Sequence, residues 1–303
     1  MTAAAISTTA LRKRYGPRHA LLGVDLEVPK GSVYGLVGPN GAGKTTLLAI
    51  LAGLRRPSGG SVRLDRDRRR VAMLPDTPSF DGWLTGREVV DLARALVAPA
   101  TPAAGVDRVL ADAGLAEAAG RRVGGYSRGM LQRLGLAATV VGDPEVLLLD
   151  EPCSALDPAG RREVLDLVAR LSGQVTVLLS THLLADVQQV CDTVGVLGAG
   201  RLLYQGPLDE LLVGRAAPAW TVRCRPPLEP VEAALARRSW VTGVERTGAE
   251  ELLVEVASRE AAEAGLAGAL AEAGAHLVRL EPRAADLEQV FLRLARDRST
   301  PTG

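Results

Sequence analysis

Two apolar runs, at residues 146–149 and 175–179, stand out in the hydrophobic pattern of this chain, and only Thr176 interrupts the second. Such nearly continuous runs are typical of central parallel strands that are covered on both faces. Between them, Asp157 and Pro158 predict the start of a helix, because aspartate caps helices and proline fits the first helical position. The apolar positions that follow recur at helical spacing, at Val164, Leu167, Val168 and Leu171. This alternation of strand and helix predicts an α/β domain.

Shorter strand signals precede these elements. Residues 6–12 and 21–28 are predicted to form two strands, closed by the turn at 29–31, and a short hairpin is predicted at 61–64 and 71–74. An apolar strand at 32–37 leads through glycines into a helical stretch at 45–52, which Gly53 ends. We therefore expect an antiparallel β subdomain beside the α/β core.

A helical insertion is predicted between about residues 85 and 142. Thr85 and Glu88 form a capping-box pair at its start. The apolar positions Val89, Val90, Leu92 and Leu96 follow them. Pro99 and Pro102 then interrupt the helical pattern.

Composition changes at residues 214–219, which we interpret as a linker between domains at 1–214 and 216–303. The pattern beyond it reads strand, helix, strand, strand, helix, strand, at 220–225, 228–237, 241–246, 252–256, 259–273 and 276–280. This order predicts a small C-terminal α+β domain of the ferredoxin-like kind, serving as an accessory or dimerisation domain. A last helix is expected at 286–295, with a disordered tail after residue 297.

Bulk composition narrows the function classes. With 36 basic and 35 acidic residues among 303, the formal net charge is +1, so nucleic acid is not an expected partner. The three cysteines, Cys153, Cys191 and Cys224, lack metal-ligand spacing and suit buried thiols in a reducing cytoplasm. No apolar run approaches the ~18 residues that cross a bilayer, and no secretory signal is visible. A role at a membrane would therefore depend on another chain.

A glycine-rich segment follows the apolar strand at 32–37. It matches the phosphate-binding pattern Gly-x-x-x-x-Gly-Lys-Ser/Thr, with the residues Gly38, Pro39, Asn40, Gly41, Ala42, Gly43, Lys44, Thr45 and Thr46. A strand that turns through glycines into a helix directs backbone N–H groups and the positive end of the helix dipole toward one point, which binds phosphate. We expect Lys44 to reach the β- and γ-phosphates and the Thr45 hydroxyl to bind Mg²⁺. The segment therefore predicts binding of a nucleoside triphosphate.

Two adjacent acids, Asp150 and Glu151, end the apolar run at 146–149. A phosphate loop alone does not distinguish kinases, GTPases and ATPases. An acidic pair after a buried strand, taken in isolation, is as often an ordinary acidic loop as a functional site. Beside a phosphate loop, Asp150 can hold the Mg²⁺ shell, and Glu151 can polarise a water molecule for in-line attack on the γ-phosphate. We therefore interpret the pair as part of a hydrolytic site.

A third motif, at residues 125–134, reads Gly-Tyr-Ser-Arg-Gly-Met-Leu-Gln-Arg-Leu and opens a predicted helix. Here the sequence resembles the ABC-type ATPases, whose signature reads Leu-Ser-Gly-Gly-Gln or, in many exporters, Tyr-Ser-x-Gly-Met followed by Gln-Arg. The resemblance extends over about residues 5–213 and includes Ser-Ala-Leu-Asp at 154–157 and Ser-Thr-His at 180–182. It implies a P-loop ATPase core with an antiparallel β subdomain and a helical signature subdomain.

The resemblance also implies roles for single residues. His182 matches the family's contact to the γ-phosphate, although a lone histidine is more often structural. Tyr15 falls where the family stacks an aromatic ring on adenine, and would otherwise be an ordinary surface residue. In this family Ser127 and Gly129 face the ATP that is held by the phosphate loop of a second copy. The implied assembly is a homodimer, a head-to-tail sandwich of two protomers around two ATP molecules.

Two positions depart from the family pattern. Arg128 replaces the glycine that is usual at the third signature position, and we expect its side chain to point away from the nucleotide. Asp76 falls where the family usually has a glutamine, or sometimes a glutamate, which approaches Mg²⁺ and the attacking water. Since aspartate has the shorter side chain, we expect Asp76 to act on the metal or the water through a bridging water or after closure of the dimer.

Within the family, the resemblance is greatest to the ATPase subunits of bacterial daunorubicin/multidrug-type exporters, because residues 286–292 are similar to the end of that subgroup. Such subunits pair with a separate integral membrane permease, which implies a peripheral location on the cytoplasmic side of the membrane. Residues 78–83 would then lie in the groove that receives a permease helix. The alternative is a soluble ABC ATPase without a transport role, such as an assembly or repair factor. The single cassette, without a coiled-coil insertion or basic arm, argues against that alternative.

Overall fold

The computed structural model describes residues 3–65, 67–100, 102–154, 156–215 and 218–283. The chain divides into two compact units, Met1–Leu208 and Asp209–Gly303, which we describe separately. The division lies just before the linker that the sequence predicts at 214–219. Within the described ranges, no helix is both long enough and apolar enough to cross a membrane.

The first unit alternates strands and helices. Its strands are β1 (Ala4–Tyr15), β2 (Arg18–Val24), β3 (Glu27–Pro29), β4 (Val33–Val37), β5 (Gly59–Leu64), β6 (Val71–Leu74), β7 (Val146–Asp150), β8 (Thr176–Thr181), β9 (Thr193–Gly198) and β10 (Arg201–Pro207). Its helices are α1 (Lys44–Leu51), α2 (Gly86–Val97), α3 (Ala104–Asp112), α4 (Arg128–Val140), α5 (Pro158–Leu171) and α6 (Leu184–Val190), and α7 (Leu208–Arg215) begins at the boundary between the units.

A six-stranded sheet in the order β10-β9-β4-β8-β7-β6 forms the centre of the first unit. Its strands run parallel except β10, which pairs antiparallel with β9. Every residue of β4, β7 and β8 is buried, as the continuous apolar runs predict. In the register, Val37 lies opposite Thr181, and Asp150 lies opposite Ser180. The carboxyl ends of β4, β7 and β8 therefore meet at one edge, where the loops after them can form a site.

The antiparallel sheet is built around β1, which pairs with β2, β3 and β5. A single apolar core joins this sheet, α1 and one face of the central sheet, with buried members that include Ile6, Leu11, Leu26, Leu47, Leu48 and Leu148. The predicted hairpin of residues 61–64 and 71–74 is wrong. β5 pairs with β1, whereas β6 pairs parallel with β7 and forms an edge of the central sheet. Closeness in sequence suggested the pairing, but long-range contacts of the two strands decide it.

Helices α2, α3 and α4 make up the predicted insertion. The capping box is confirmed: Thr85 Oγ1 accepts from the Glu88 backbone N–H (3.2 Å), and Glu88 Oε2 accepts from the Thr85 N–H (2.7 Å). α2 ends at Val97, and α3 begins at Ala104. The helical pattern is therefore interrupted at the two prolines, where each ring removes a backbone donor.

The second unit has the elements β11 (Ala219–Arg225), α8 (Glu229–Ala236), β12 (Val241–Gly248), β13 (Glu251–Val256), α9 (Arg259–Glu272) and β14 (His276–Arg283). Its strands form an antiparallel sheet in the order β12-β13-β11-β14. A separate core joins the sheet to the two helices, with Trp220, Val222, Leu252, Val254, Leu235 and Leu266 among its buried members. The ferredoxin-like class stays a prediction, and the helix predicted at 286–295 and the tail after 297 lie outside the described residues.

Candidate nucleotide-binding site

The glycine-rich loop connects β4 to α1 at the shared sheet edge. Glycine is required sterically at two positions: a Cβ on Gly38 would lie 2.2 Å from the Leu197 carbonyl oxygen, and one on Gly43, where φ is +110°, would lie 2.6 Å from that of Ala20. Helix α1 has no side-chain cap and no acid in its first turn. Its first N–H groups therefore have no side-chain acceptor and carry the positive end of the helix dipole, an arrangement that favours an anionic ligand.

Lys44 is the first residue of α1, and its side chain folds back over the loop. Its ammonium donates to the carbonyl oxygens of Gly38 (2.7 Å) and Pro39 (3.3 Å). Only 5% of the residue is exposed. The same Nζ lies 3.1 Å from Glu151 Oε1. A nearly buried cation thus lies between the phosphate loop and the acid that follows β7.

The acid pair leaves the sheet beside this lysine. Oδ1 of the buried Asp150 accepts a hydrogen bond from Ser180 Oγ (2.6 Å). This bond between β7 and β8 fixes the orientation of the Asp150 carboxylate. Glu151 has a positive φ of 47°, a strained conformation for a side-chain-bearing residue that concentrates at functional sites. Its backbone N–H donates to the backbone oxygen and to Oγ of Ser180, both at 3.1 Å. The role of Ser180 was missed at the sequence level, where only the histidine of its motif was singled out.

His182 follows β8 and lies beside the same acid. Its Nδ1 is 2.7 Å from Glu151 Oε2, so the Glu151 carboxylate lies between the lysine and the histidine. The side chain of Glu151 is only 13% exposed, and that of His182 is 41% exposed. The sequence places these residues more than a hundred positions from Lys44, and the parallel register of β4, β7 and β8 brings them together.

Most of the predicted site residues line one cleft of about 580 Å³, namely Tyr15, Asn40, Gly41, Gly43, Lys44, Thr45, Thr46, Asp76 and Glu151. Asp150 lines an adjoining cleft of about 560 Å³ together with Tyr15, Thr45, Thr46 and Asp76. Gly38, Pro39 and Ala42 shape the loop through its backbone, in which the Ala42 N–H donates to the Pro39 oxygen (3.1 Å). Ser127 and Gly129 line neither cleft.

The signature residues lie at the start of α4. Ser127 caps this helix, its Oγ accepting from the Met130 N–H (3.3 Å), and the first turn carries no acid. Ser127 and Arg128 are exposed, and Gly129 is half-buried. This helix start is a second anion-attracting terminus, outside the cleft of its own chain.

Asp76, the clearest departure from the family pattern, has a hydrogen-bond partner that the sequence did not predict. It is exposed, and its Oδ1 accepts a hydrogen bond from Ser154 Oγ, in the Ser-Ala-Leu-Asp segment. Asp76 also lines both clefts, beside Thr45. Its action on a metal or a water molecule stays a prediction.

Tyr15 lies at the rim of the cleft with 43% of its surface exposed. The Lys13 ammonium lies 4.9 Å from its ring centroid and also donates to the Arg56 carbonyl oxygen (2.8 Å). This tethered cation covers the ring on one side. Arg18, the register partner of Tyr15, lines the cleft as well. The sequence analysis missed Arg18, although its position opposite Tyr15, across the two-residue turn between β1 and β2, was a signal.

Replacing Tyr15 by alanine tests the stacking prediction. We expect Tyr15→Ala to weaken ATP binding by about 1–2 kcal/mol, since stacking of a base on an aromatic ring is worth about that much. Turnover at saturating ATP should change little, because stacking is the same in the ground and transition states. Titration with ATP and steady-state hydrolysis measure the two effects. Tyr15→Phe keeps the ring and should bind ATP like the wild type. Unchanged ATP affinity in Tyr15→Ala would show that Tyr15 is an ordinary surface residue that does not stack on adenine.

The central sheet, with its phosphate loop and acid pair at one edge, gives the first unit the architecture of a P-loop nucleoside triphosphatase. The model of the ABC transporter family matches residues 21–154. The chain is 36% identical over 295 residues to an uncharacterised ABC transporter ATP-binding protein, YxlF, of Bacillus subtilis (strain 168), with 95% of this chain and 99% of the relative covered. It is 37% identical over 310 residues to the daunorubicin resistance ATP-binding protein DrrA3 of Streptomyces coeruleorubidus, with 98% of each chain covered.

A solved structure of an ATP-binding subunit of an ABC transporter has a similar fold, with a TM-score of 0.63 and 27% identity over 69% of this chain and 92% of that chain. The chain belongs to the family of ABC transporter ATP-binding proteins. It is accordingly an ATPase, which binds ATP and hydrolyses it to power transport. This confirms the fold class and activity that the sequence motifs imply.

Proposed function

We propose that Glu151 is the general base of ATP hydrolysis and that Lys44 and His182 act on either side of it. The observation that carries this proposal is the position of the Glu151 carboxylate, 3.1 Å from the Lys44 ammonium and 2.7 Å from His182 Nδ1 at the edge of the cleft. A carboxylate there can accept a proton from a water molecule that attacks the γ-phosphate. Lys44 and the N–H groups at the start of α1 stabilise the negative charge that the phosphate oxygens carry. His182 orients the carboxylate and contacts the γ-phosphate.

The residues at the cleft fit Mg²⁺ that is bound together with the nucleotide. Within the described ranges, no group of three or more histidine, cysteine or acidic residues could hold a metal alone. Mg²⁺ in nucleotide sites typically uses one or two carboxylates and completes its shell with substrate phosphates and water. Thr45 and Asp150 supply such oxygen ligands in one cleft, and Asp76 lines the same cleft. When bound, the ion neutralises charge on the β- and γ-phosphates.

The working form is a homodimer in which each ATP lies between two copies. Ser127 and Gly129 lie outside the cleft of their own chain, at a helix start that attracts anions. If a second copy packs head to tail, its signature faces the phosphates that this chain holds. ATP binding would then close the dimer and hydrolysis would open it.

Mixing two inactive variants tests the shared site. We expect Lys44→Ala and Ser127→Arg each to lower the rate of ATP hydrolysis by about 10²-fold or more. Lys44→Ala removes the cation of the phosphate loop, and Ser127→Arg places a large side chain where the signature would contact the ATP of the other copy. In a mixed dimer both defects fall in one site and the other site is intact. An equimolar co-refolded mixture should therefore regain up to about a quarter of wild-type phosphate release, as random pairing of two-fold dimers allows.

The matched control is a mixture of Lys44→Ala and Glu151→Gln. These two changes lie in the same half of the site, so every site of the mixed dimer keeps one defect and no activity should return. If the first mixture stays as inactive as its separate components, Ser127 does not act on the ATP that the other copy holds, and the head-to-tail arrangement is wrong.

The partner of this dimer is a separate integral membrane permease, and the complex exports a daunorubicin-like compound. Supporting this, the chain is similar to the daunorubicin resistance protein DrrA3 over 98% of its length. The predicted permease groove also has a physical candidate, a cleft of about 340 Å³ that Pro78 and Phe80 line together with β6 and α4 residues. Trp83, which is 68% exposed, lies just beyond it in the chain. The ATPase is then peripheral, on the cytoplasmic side of the membrane, and the second unit serves as an accessory or dimerisation domain.

Inside-out membrane vesicles that contain a candidate permease test the transport proposal. ATP-dependent uptake of daunorubicin with the wild-type chain, and none with Glu151→Gln, is the expected result. Normal hydrolysis without uptake by any permease that binds the chain would instead favour the soluble ABC ATPase.

A further inference from the structure

A buried acid without an assigned role, Asp186, lies in α6, just after residues 181–183, which we call the His182 loop. Its side chain is 2% exposed. Arg161 of α5 donates through Nε to Asp186 Oδ1 (2.5 Å), and Thr181 Oγ1 lies 3.3 Å from Asp186 Oδ2. A buried carboxylate is stable only where such partners offset the loss of hydration. The pair therefore fixes α5 and α6 relative to each other.

On one side, this ion pair reaches the loop that carries the histidine. Thr181 Oγ1, which contacts Asp186, also accepts from the Leu183 backbone N–H (2.9 Å), and the Asp186 N–H donates to the Leu183 oxygen (3.1 Å). Thr181 and Leu183, the chain neighbours of His182, are thus both hydrogen-bonded to Asp186. The His182 side chain itself is hydrogen-bonded to Glu151, through Nδ1 (2.7 Å).

On the other side, the pair reaches Asp157, the last residue of the Ser-Ala-Leu-Asp motif. Arg161 N–H donates to the Asp157 backbone oxygen (2.9 Å), and Asp157 Oδ1 caps α5 by accepting from the Gly160 N–H (2.9 Å). A small apolar cluster joins the turn after Glu151 to both helices, through Cys153, Leu156, Val164, Leu165 and Val190. These contacts therefore join the start of α5 to the His182 loop.

We propose that Arg161 and Asp186 are positioning residues, which hold the His182 loop against Glu151 and transmit to it the placement of Leu156 and Asp157. The proposal rests on the role of Glu151 and His182 in the proposed function. Breaking the pair would leave the phosphate loop intact but release the loop around His182. Small displacements of catalytic groups cost up to about 10²-fold in rate. The effect should thus fall on turnover and not on ATP affinity.

Asp186→Asn tests the proposal, because it keeps the size of the side chain and removes its charge. We expect kcat to fall roughly 10-fold or more with KM for ATP changed less than about two-fold. Arg161→Met should give the same loss, the double variant should be no worse than either single one, and Arg161→Lys should recover part of the rate. Circular dichroism at the assay temperature shows that each variant is folded.

The matched control is Glu163→Gln, which removes an ion pair to Arg133 (3.3 Å) from the same helix without touching the His182 loop. It should keep the wild-type kcat. An unaltered kcat in Asp186→Asn, or a loss equal to that of Glu163→Gln, would show that the pair only stabilises the fold.

His182→Ala separates this proposal from the proposed function. If the pair acts through His182, adding Asp186→Asn to His182→Ala should cause no further loss. A further loss of the same size would overturn the positioning role while leaving that of His182. Normal turnover in His182→Ala itself would refute both. Should Asp186→Asn fail to fold, the same comparison with Arg161→Met decides.

Discussion

Glu151→Gln is expected to stop ATP hydrolysis, keep ATP binding and trap a stable dimer. The amide retains the shape of the side chain but cannot take a proton from water, and loss of a general base typically costs about 10²–10⁴-fold in rate. Binding should persist, since Lys44 and the start of α1 are untouched and one negative charge beside the γ-phosphate is removed. Size-exclusion chromatography with Mg-ATP and an assay of phosphate release measure the two effects.

The control for this variant lies at the opposite end of the same strand. Glu145, which contacts Arg70 Nε (3.2 Å), immediately precedes β7, so Glu145→Gln makes the same chemical change away from the cleft. It should hydrolyse ATP normally and show no trapped dimer. A Glu151→Gln protein that remained monomeric with ATP and turned over at the wild-type rate would remove Glu151 from the mechanism.

The parts of the site that follow from local sequence are predictable, and those that depend on packing between strands are not. The phosphate loop is predictable because its glycines, Lys44 and the following helix are contiguous. The acid pair is predictable because an uninterrupted apolar run precedes it. The contact of Ser180 with Asp150 depends on the register of β7 against β8, which no local pattern specifies.

The same distinction explains the errors and omissions. The strand at 71–74 lies close to 61–64 in the chain, but the structure pairs it with β7, so the hairpin prediction fails. The hydrogen bond from Ser154 to the Asp76 carboxylate was not predicted, because the two residues lie far apart in the chain. The apolar pattern of α2 also overstates its burial, because Leu92 and Leu96 are 53% and 75% exposed. A face that is apolar in sequence need not be covered by its own chain.

Lys44→Ala should lose both ATP affinity and turnover. The ammonium is the cation of the phosphate loop, and a hydrogen bond to a charged group contributes about 1.5–3 kcal/mol, which corresponds to roughly 10- to 150-fold in affinity. The Glu151 carboxylate, now 3.1 Å from Nζ, would then face the triphosphate without a counter-charge. Calorimetric titration with Mg-ATP and phosphate release measure the loss. Lys30→Ala, in the turn before β4, removes the same charge away from the cleft and should behave like the wild type.

The double variant Lys44→Ala/Glu151→Gln distinguishes the two contributions to that loss. If repulsion by the unpaired carboxylate is part of it, removing the carboxylate as well should recover some ATP affinity without any hydrolysis, because the two side chains are in contact and their effects are not additive. If the double variant binds no better than Lys44→Ala, the loss comes from the missing cation alone. Wild-type affinity in Lys44→Ala itself would mean that the backbone N–H groups hold the phosphates unaided, and that the phosphate role assigned to Lys44 is wrong.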